Sequence, residues 1–287
     1  MTTDTATLPA LFIGHGSPMN TLDLNRYTQS WREVGKSIPK PRAVLVVSAH
    51  WYFGATAVTA MAKPRTIHDF YGFPEELFNF SYPAPGMPEL AEEVAEIAKP
   101  HWVGADRDQW GLDHGTWSVL AHLYPEADVP VVQLSINAFK PLEYHIELGA
   151  KLSELRNQNI LIVGSGNVVH NLKRLNISDS DNGEEWAKRF DDAVVRQMVY
   201  APEDILKVVE HPDFDLAVPT PEHFIPLLYL AGLSRATNEK PSTFIRGYSL
   251  GSLSMTCYGI GTEVRVKEVS GSAAIIPDGI PTDQTNI

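Results

Sequence analysis

The chain alternates short, continuous apolar runs with longer segments in which apolar residues recur every three or four positions. The short runs predict β-strands at 9–13, 43–49, 55–60, 130–136, 160–164, 242–248 and 252–260. The run from Val44 to Val47 contains no polar residue, a pattern typical of a strand that is buried on both faces. Such strands lie at the centre of a sheet that helices cover on either side.

The longer segments predict amphipathic helices. Leu90, Val94 and Ile97 recur at helical spacing, and Pro88 before them suits the first position of a helix. The same reasoning predicts helices at 87–99, 114–124, 142–156, 184–200 and 222–232. Strands that alternate with helices indicate an α/β fold, and we predict a single domain with a central mixed, mostly parallel sheet flanked by helices.

The predicted domain spans residues 8–265, because no stretch within it is rich enough in Gly, Ser or Pro to form a linker. Residues 266–287 are expected to form a flexible C-terminal tail. The segment 68–86 has no regular period but is dense in Phe, Tyr and Pro. Such a long aromatic loop either covers an active site or packs on the core.

Composition narrows the partners of this domain. The 23 basic and 35 acidic residues give a formal net charge of −12, which disfavours nucleic acid and anionic membranes as partners. Cys257 is the only cysteine, so one chain can form neither a disulfide nor a zinc site of several thiolates. The first ten residues have no signal-peptide pattern, and no run reaches the roughly 20 apolar residues that span a membrane. We expect a soluble, cytoplasmic protein, and the oligomeric state stays open.

Four histidines lie at or just beyond the ends of apolar runs or at a predicted helix start. His15, His50 and His170 follow three predicted strands, and His223 begins the helix predicted at 222–232. Open α/β sheets bind ligands beyond the carboxyl ends of their strands, where such residues would meet. A single histidine after a strand is more often structural, so the prediction of a metal site depends on several of them sharing one edge.

The choice of ligands at this site remains open at one position. Glu222 precedes His223, and neighbouring residues on a helix point about 100° apart. Imidazole from His223 would give an all-histidine site. The carboxylate of Glu222 would instead give a two-histidine, one-carboxylate site, which suits ferrous iron with open positions.

Other candidate residues surround this edge. His114 lies at a predicted helix start, where the positive end of the helix favours a neutral imidazole that can accept or donate a proton. Its neighbour Asp113 is equally suited to capping the helix. On the aromatic loop, His68, Asp69 and Tyr71 could contact a substrate, although the first two could also cap a turn.

Nine sequence blocks together resemble the class III extradiol ring-cleaving dioxygenases, and most closely their DOPA 4,5-dioxygenase branch. The similarity runs from about residue 8 to residue 262. The blocks are GHGSPMN (14–20), SAHW (48–51), TIHDFYGFP (66–74), YPAPG (82–86), WGLDHGTW (110–117), VQLSIN (132–137), GSGNVVHNL (164–172), TPEHFIPLLY (220–229) and GSLSM (251–255).

The resemblance implies a mononuclear non-heme metal. This metal is Fe(II) in the active enzyme, and Zn(II) is often the ion found bound in this branch of the family. The resemblance also implies His15, His50 and His223 as metal ligands, and His170 either as a fourth ligand or as an acid/base group. His114 matches the second active-site histidine, which is thought to handle protons. The implied reaction opens the ring of a catechol such as L-DOPA with O2 and gives a muconate semialdehyde-type product.

Two other functions remain open from the sequence. A zinc-dependent hydrolase could use the same imidazoles, although four histidine ligands would leave a tetrahedral ion no room for a water molecule. A non-catalytic binding protein could retain the fold without the reaction, because a fold does not determine a function.

Overall fold

The structure, a computed structural model, describes residues 7–176, 181–261, 271–274 and 276. Its strands are β1 (Ala10–Gly14), β2 (Ala43–Phe53), β3 (Ala57–Thr59), β4 (Gly104–Asp106), β5 (Val131–Asn137), β6 (Ile160–Gly166), β7 (Ser242–Ile245), β8 (Tyr248–Ser249), β9 (Leu253–Ser254) and β10 (Cys257–Ile260). Eight of them form one sheet in the order β4-β3-β5-β2-β6-β1-β10-β7, and β8 pairs with β9 apart from it.

The centre of the sheet is parallel and its flanks are mixed. β5, β2, β6 and β1 run parallel as neighbours, whereas β10 and β7 pair in antiparallel fashion on one side and β3 pairs antiparallel with β5 on the other. The predicted α/β fold with a mixed, mostly parallel sheet is confirmed. Because the central strands are parallel, their carboxyl ends all open at the same edge.

Helices cover both faces of the sheet. They are α1 (Arg26–Ser37), α2 (Glu75–Phe78), α3 (Pro88–Ile97), α4 (His114–Leu123), α5 (Leu142–Leu152), α6 (Glu185–Tyr200), α7 (Phe214–Ala217) and α8 (Ile225–Thr237). One apolar core lies between the sheet and α3, α5, α6 and α8, and a second lies between the sheet, α1, α4 and the aromatic loop. The arrangement has three layers, with the sheet in the middle.

Some elements differ from the prediction. The strands expected at 242–248 and 252–260 are each divided, because β8 and β9 pair with each other instead of continuing the main sheet. Helix α1 was missed although Asn25 caps it and Tyr27, Trp31 and Val34 form its buried face. The short edge strand β4 was missed too. The helix predicted at 222–232 begins only at Ile225.

The segment that follows the domain is described only in part. Ala273 and Ile276 are buried in the core beneath α1 and α4, and the backbone N–H of Ala274 donates to Asn20 Oδ1 at 3.1 Å. At these positions the chain is packed, which differs from the expected tail. The remaining residues of 266–287 lie outside the described part of the chain, and for them the flexible tail stays a prediction.

Candidate metal centre

Three parallel strands bring three histidines to one edge of the sheet. His15 follows β1, His50 lies near the end of β2, and His170 follows β6, which runs between the other two strands. The ring centroids of His15 and His50 are 5.1 Å apart, and their Nε2 atoms are 3.2 Å apart. The two imidazoles therefore face each other edge to edge, with their outer nitrogens in contact.

A large bulge in β2 presents His50 to this edge. Val47 pairs with Leu134 of β5 and Tyr52 pairs with Ile136, so β2 advances five residues while β5 advances two. The extra residues fall at the position of His50. Bulges of this kind turn a side chain out of the regular alternation and are common beside active sites.

His223 lies in the turn before α8 and, with His15, His50, His114 and His170, forms what we call the histidine cluster. Its ring centroid lies 5.4 Å from that of His15 and 5.0 Å from that of His50, and its ring stacks on His170 at 3.5 Å with an interplanar angle of 4°. The backbone comes close to β6 here, since a Cβ on Gly166 would lie 2.2 Å from the His223 carbonyl oxygen. A glycine at position 166 thus lets this turn approach the sheet.

His114 enters from the opposite face, at the first position of α4. Asp113 is the N-cap of this helix, and its carboxylate accepts the backbone N–H of Thr116 at 3.1 Å. The His114 ring centroid lies 3.7 Å from that of His50 and 6.0 Å from that of His15. Of the two possibilities for Asp113, the structure shows the cap.

Hydrogen bonds determine which nitrogen of His15 faces the cluster. The Ser165 hydroxyl donates its one hydrogen to the Gly115 carbonyl at 2.6 Å, so its oxygen accepts from His15 Nδ1 at 2.9 Å. Nδ1 therefore carries the proton, and Nε2 of His15 presents a lone pair toward His50 Nε2. On the other side, His50 Nδ1 lies 3.4 Å from the Asp69 carboxylate, which favours a proton on that Nδ1 as well.

Burial keeps these imidazoles neutral. The pKa of His15 and the pKa of His50 are both held well below the usual value, first because the rings are buried and then because neighbouring histidines repel added charge. Neutral imidazole is the form that binds a metal ion.

The donor set fits a cation in the middle of the cluster. The Nε2 atoms of His15 and His50 are 3.2 Å apart, close enough for both to bind one cation. Among the described residues, Nε2 of His114 and Nε2 of His223 are buried and make no hydrogen bond. Two groups have ligand atoms close enough to share an ion: His15 with His50 and His114, and His170 with Glu222 and His223. Metal–imidazole bonds of about 2.0–2.1 Å are compatible with the 3.2 Å between the Nε2 atoms of His15 and His50.

Glu222 lies beside His223 and also belongs to the second group. Its Oε1 is 3.3 Å from His223 Nδ1 and accepts from the Thr220 hydroxyl at 2.6 Å. Burial alone would raise the pKa of Glu222, but these two partners outweigh it and lower the pKa to about 2. The carboxylate thus contacts the Nδ1 edge of His223, the edge opposite Nε2.

The aromatic loop divides between the core and the site. Phe70 is buried and its ring centroid is 5.6 Å from that of His114, so the loop both packs on the core and borders the cluster. His68 Nε2 donates to the Phe80 carbonyl at 2.9 Å, which directs its ring into the loop. Tyr71 is 68% exposed, and Asp69 turns toward the histidines.

Several polar residues around the site were not anticipated. Ser165 orients His15, Ser48 donates to Asp113 at 2.7 Å, and the Gln133 amide also donates to Asp113. Burial and the nearby charge of Asp69 raise the pKa of Asp113 to about 6. The sequence feature that could have identified these residues is a polar residue beside a strand-end histidine or inside an apolar strand. The segments SAH, VQLS and GSG contain such residues.

Residues 9–260 match the family described as the catalytic LigB subunit of aromatic ring-opening dioxygenase, and the chain belongs to this family. It is accordingly an extradiol ring-cleaving dioxygenase. This finding favours the dioxygenase over the hydrolase and over the non-catalytic binding protein.

Two relatives carry the same name. The 4,5-DOPA dioxygenase extradiol of Escherichia coli (strain K12) is 45% identical over 259 residues, which are 88% of this chain and 95% of that protein. The 4,5-DOPA dioxygenase extradiol of Beta vulgaris is 36% identical over 256 residues, 86% of this chain and 94% of that protein. The predicted resemblance is confirmed.

A solved structure supports the same fold. The crystal structure of an uncharacterized protein from Escherichia coli K12 aligns with a TM-score of 0.77 at 42% identity, and it covers 88% of this chain and 100% of that chain. In the described part of this chain, we find no helix with the length and apolar character needed to cross a membrane.

Proposed function

We propose that the protein opens the ring of a catechol such as L-DOPA with O2 and produces a muconate semialdehyde-type compound, using one divalent metal ion held by the histidine cluster. The observation that carries the proposal is the pair of facing Nε2 atoms of His15 and His50 at 3.2 Å. Two neutral imidazole nitrogens this close together can both bind one cation.

His15, His50 and His223 are the proposed ligands, and His170 is proposed as a fourth ligand or as an acid/base group. Fe(II) is proposed for activity, and Zn(II) can occupy the same nitrogen ligands. The ion supplies open positions at which the catechol oxygens and O2 can bind as neighbours. The parallel stack of His170 on His223 supports a position for His170 at the border of the ligand set.

His114 is proposed to hold or move a proton during ring opening. Its Nε2 is buried among the histidines without a hydrogen-bond partner in the described part of the chain. A proton donor or acceptor at this place can reach a hydroxyl group of a bound catechol. General acid or base catalysis of this kind contributes about 10²- to 10⁴-fold to a rate.

The aromatic loop is proposed to cover the planar ring of the substrate. Phe70 beside His114 supplies an apolar wall that excludes water, and exposed Tyr71 is close in sequence to it. His68 and Asp69 are proposed as substrate-side residues because they lie on this loop. A reducing, cytoplasmic setting, which the single cysteine favours, also belongs to the proposal.

An oxygen-uptake assay tests this function. Protein loaded anaerobically with Fe(II) is mixed with L-DOPA, with caffeate or with an ester, and O2 consumption and the product spectrum are recorded. Stoichiometric O2 uptake with a yellow ring-opened product is the expected result for a catechol. Ester hydrolysis without O2 uptake, or no turnover of any catechol by fully loaded protein, contradicts the proposal.

The variant His114→Ala tests the division of roles. We expect it to retain the metal and to lose about 10²- to 10⁴-fold in turnover, because a proton-handling group is lost while the ligands remain. In contrast, His15→Ala and His50→Ala should lose the metal itself. Metal content measured on the same preparations checks this, and release of the metal by His114→Ala would refute the assignment.

A further inference from the structure

Asp69 lies between two histidines that the proposed function uses in different ways. Its Oδ1 is 3.0 Å from His114 Nδ1, and its Oδ2 is 3.4 Å from His50 Nδ1. Oδ1 also accepts the backbone N–H of His114 at 3.0 Å. One carboxylate thus faces the Nδ1 edge of both rings.

The surrounding loop holds this carboxylate in place. The preceding residue, His68, donates to the Phe80 carbonyl at 2.9 Å, and the following residue, Phe70, is buried against the ring of His114. The Asp69 side chain is only 10% exposed. The residues before and after Asp69 are therefore both held in place, and the Asp69 side chain points inward, away from the loop surface.

The position of the carboxylate has a direct chemical consequence. An ionised carboxylate only accepts hydrogen bonds, so a neutral imidazole that faces it with Nδ1 carries its proton there. Nε2 of the same ring is then a bare lone pair.

We propose that Asp69 is a positioning residue that selects the Nδ1–H form of both His50 and His114. Both Nε2 atoms then face the proposed metal position without a proton. A metal ligand and the proton-handling histidine thereby share one outer partner. Carboxylates that accept from a ligating histidine fix its orientation and its protonated nitrogen. The proposal assigns Asp69 to the histidines and rests on the proposed function only for the roles of His50 and His114.

The variant Asp69→Asn discriminates sharply because an amide has one acceptor and one donor where the carboxylate has two acceptors. The amide oxygen can still accept from one Nδ1–H, but the amide NH2 must face a bare Nδ1. One of the two histidines should therefore change to the Nε2–H form. Asp69→Ala removes both partners and should leave both rings without a preferred form.

Nitrogen-15 NMR of the imidazoles in metal-free protein measures these forms directly, with His50→Gln and His114→Gln used to assign the signals. The exposed Glu76 lies in α2, within the same 68–86 segment, so Glu76→Gln is a control that removes one negative charge away from the histidines. We expect Nδ1–H for both rings in the parent and in Glu76→Gln. We expect one switched ring in Asp69→Asn.

Competition dialysis with zinc gives the second readout. Loss of an outer carboxylate typically weakens metal binding about 10- to 100-fold, and this is the change expected for Asp69→Asn and Asp69→Ala, but not for Glu76→Gln. Unchanged imidazole forms in folded Asp69→Asn, or metal affinity within twofold of the parent in both variants, would overturn the proposal. The NMR readout needs neither metal nor substrate, so it is independent of whether the protein cleaves catechols.

Discussion

The Ser165 hydroxyl contacts His15, one of the proposed metal ligands. It donates to a backbone carbonyl and consequently can only accept from His15, so the protonated nitrogen of His15 is determined before any metal binds. The residue lies in the GSG segment of β6, where small side chains let His15 approach the strand. We therefore expect the metal affinity of the proposed site to depend on Ser165, a residue that is not a proposed ligand.

Ser165→Ala should weaken metal binding about 10- to 100-fold, because His15 loses the partner that keeps its proton on Nδ1. Competition dialysis with zinc measures the change. Ser118→Ala is the matched control, since Ser118 is buried in α4 and its hydroxyl makes no hydrogen bond within the described residues. Equal affinities in the two variants would show that the Ser165 contact does not orient the ligand.

At the level of elements, the bulge of β2 and the first turn of α4 form one unit. A Cβ on Gly115 would lie 2.5 Å from Ser48 Oγ and 2.8 Å from His50 Cδ2. The helix thus approaches the bulge so closely that only glycine fits between them. The close packing of α4 against the bulge thus restricts the position of the His50 ring.

Gly115→Ala should displace His50 and lower metal affinity at least about tenfold, with some loss of stability from overpacking. Gly149→Ala is the control, because its Cβ would lie 2.4 Å from the Tyr229 carbonyl oxygen in the contact between α5 and α8, far from the ligands in sequence. It should lower the free energy of unfolding but leave the metal affinity of folded protein unchanged. A normal metal affinity in Gly115→Ala would argue against a tight contact at this place.

The sequence predicted the elements that apolar runs define and missed those that depend on pairing. Continuous runs such as Val44 to Val47 identified the buried central strands, since a strand covered on both faces needs no polar residue. The edge strand β4 is only three residues long and carries no such pattern. The bulge of β2 was also invisible, because it arises from the register against β5 and not from any residue type.

At the scale of the whole molecule, the parallel centre of the sheet explains why distant histidines meet. Strands β1, β6 and β2 end at one edge of the sheet. Helix α8 begins on one face of the sheet at this edge, and helix α4 begins on the other face. The sequence could place histidines at strand ends, and the order of the strands then decides which of them are neighbours. The contacts of Ser165 with His15 and of Asp69 with His50 and His114 join residues far apart in the chain, so the sequence alone could not reveal them.

The stability of the whole chain should depend on pH through His145, which lies in α5 away from the cluster. Burial lowers the pKa of His145 from 6.5 to about 4, and its Nδ1 is 3.1 Å from the Tyr229 hydroxyl. Below pH 6.5 the unfolded chain takes up a proton that the folded chain resists, so stability is lost as the pH falls from 6.5 toward 4.

His145→Gln removes this proton uptake and keeps a polar partner for Tyr229. Between pH 7 and pH 5 the parent should lose about 2 kcal/mol more free energy of unfolding than the variant. Urea unfolding of both proteins at the two pH values measures the difference. Parallel losses in the two proteins would mean that His145 takes up its proton in the folded state as readily as in the unfolded chain.

The account as a whole depends on imidazoles that gather around one ion. X-ray absorption spectroscopy of protein loaded with Fe(II) under anaerobic conditions, combined with metal analysis, tests this most directly. We expect one ion per chain, bound by at least three imidazoles. A loaded protein with two equivalent ions, or with an ion bound mainly by carboxylates, would contradict it.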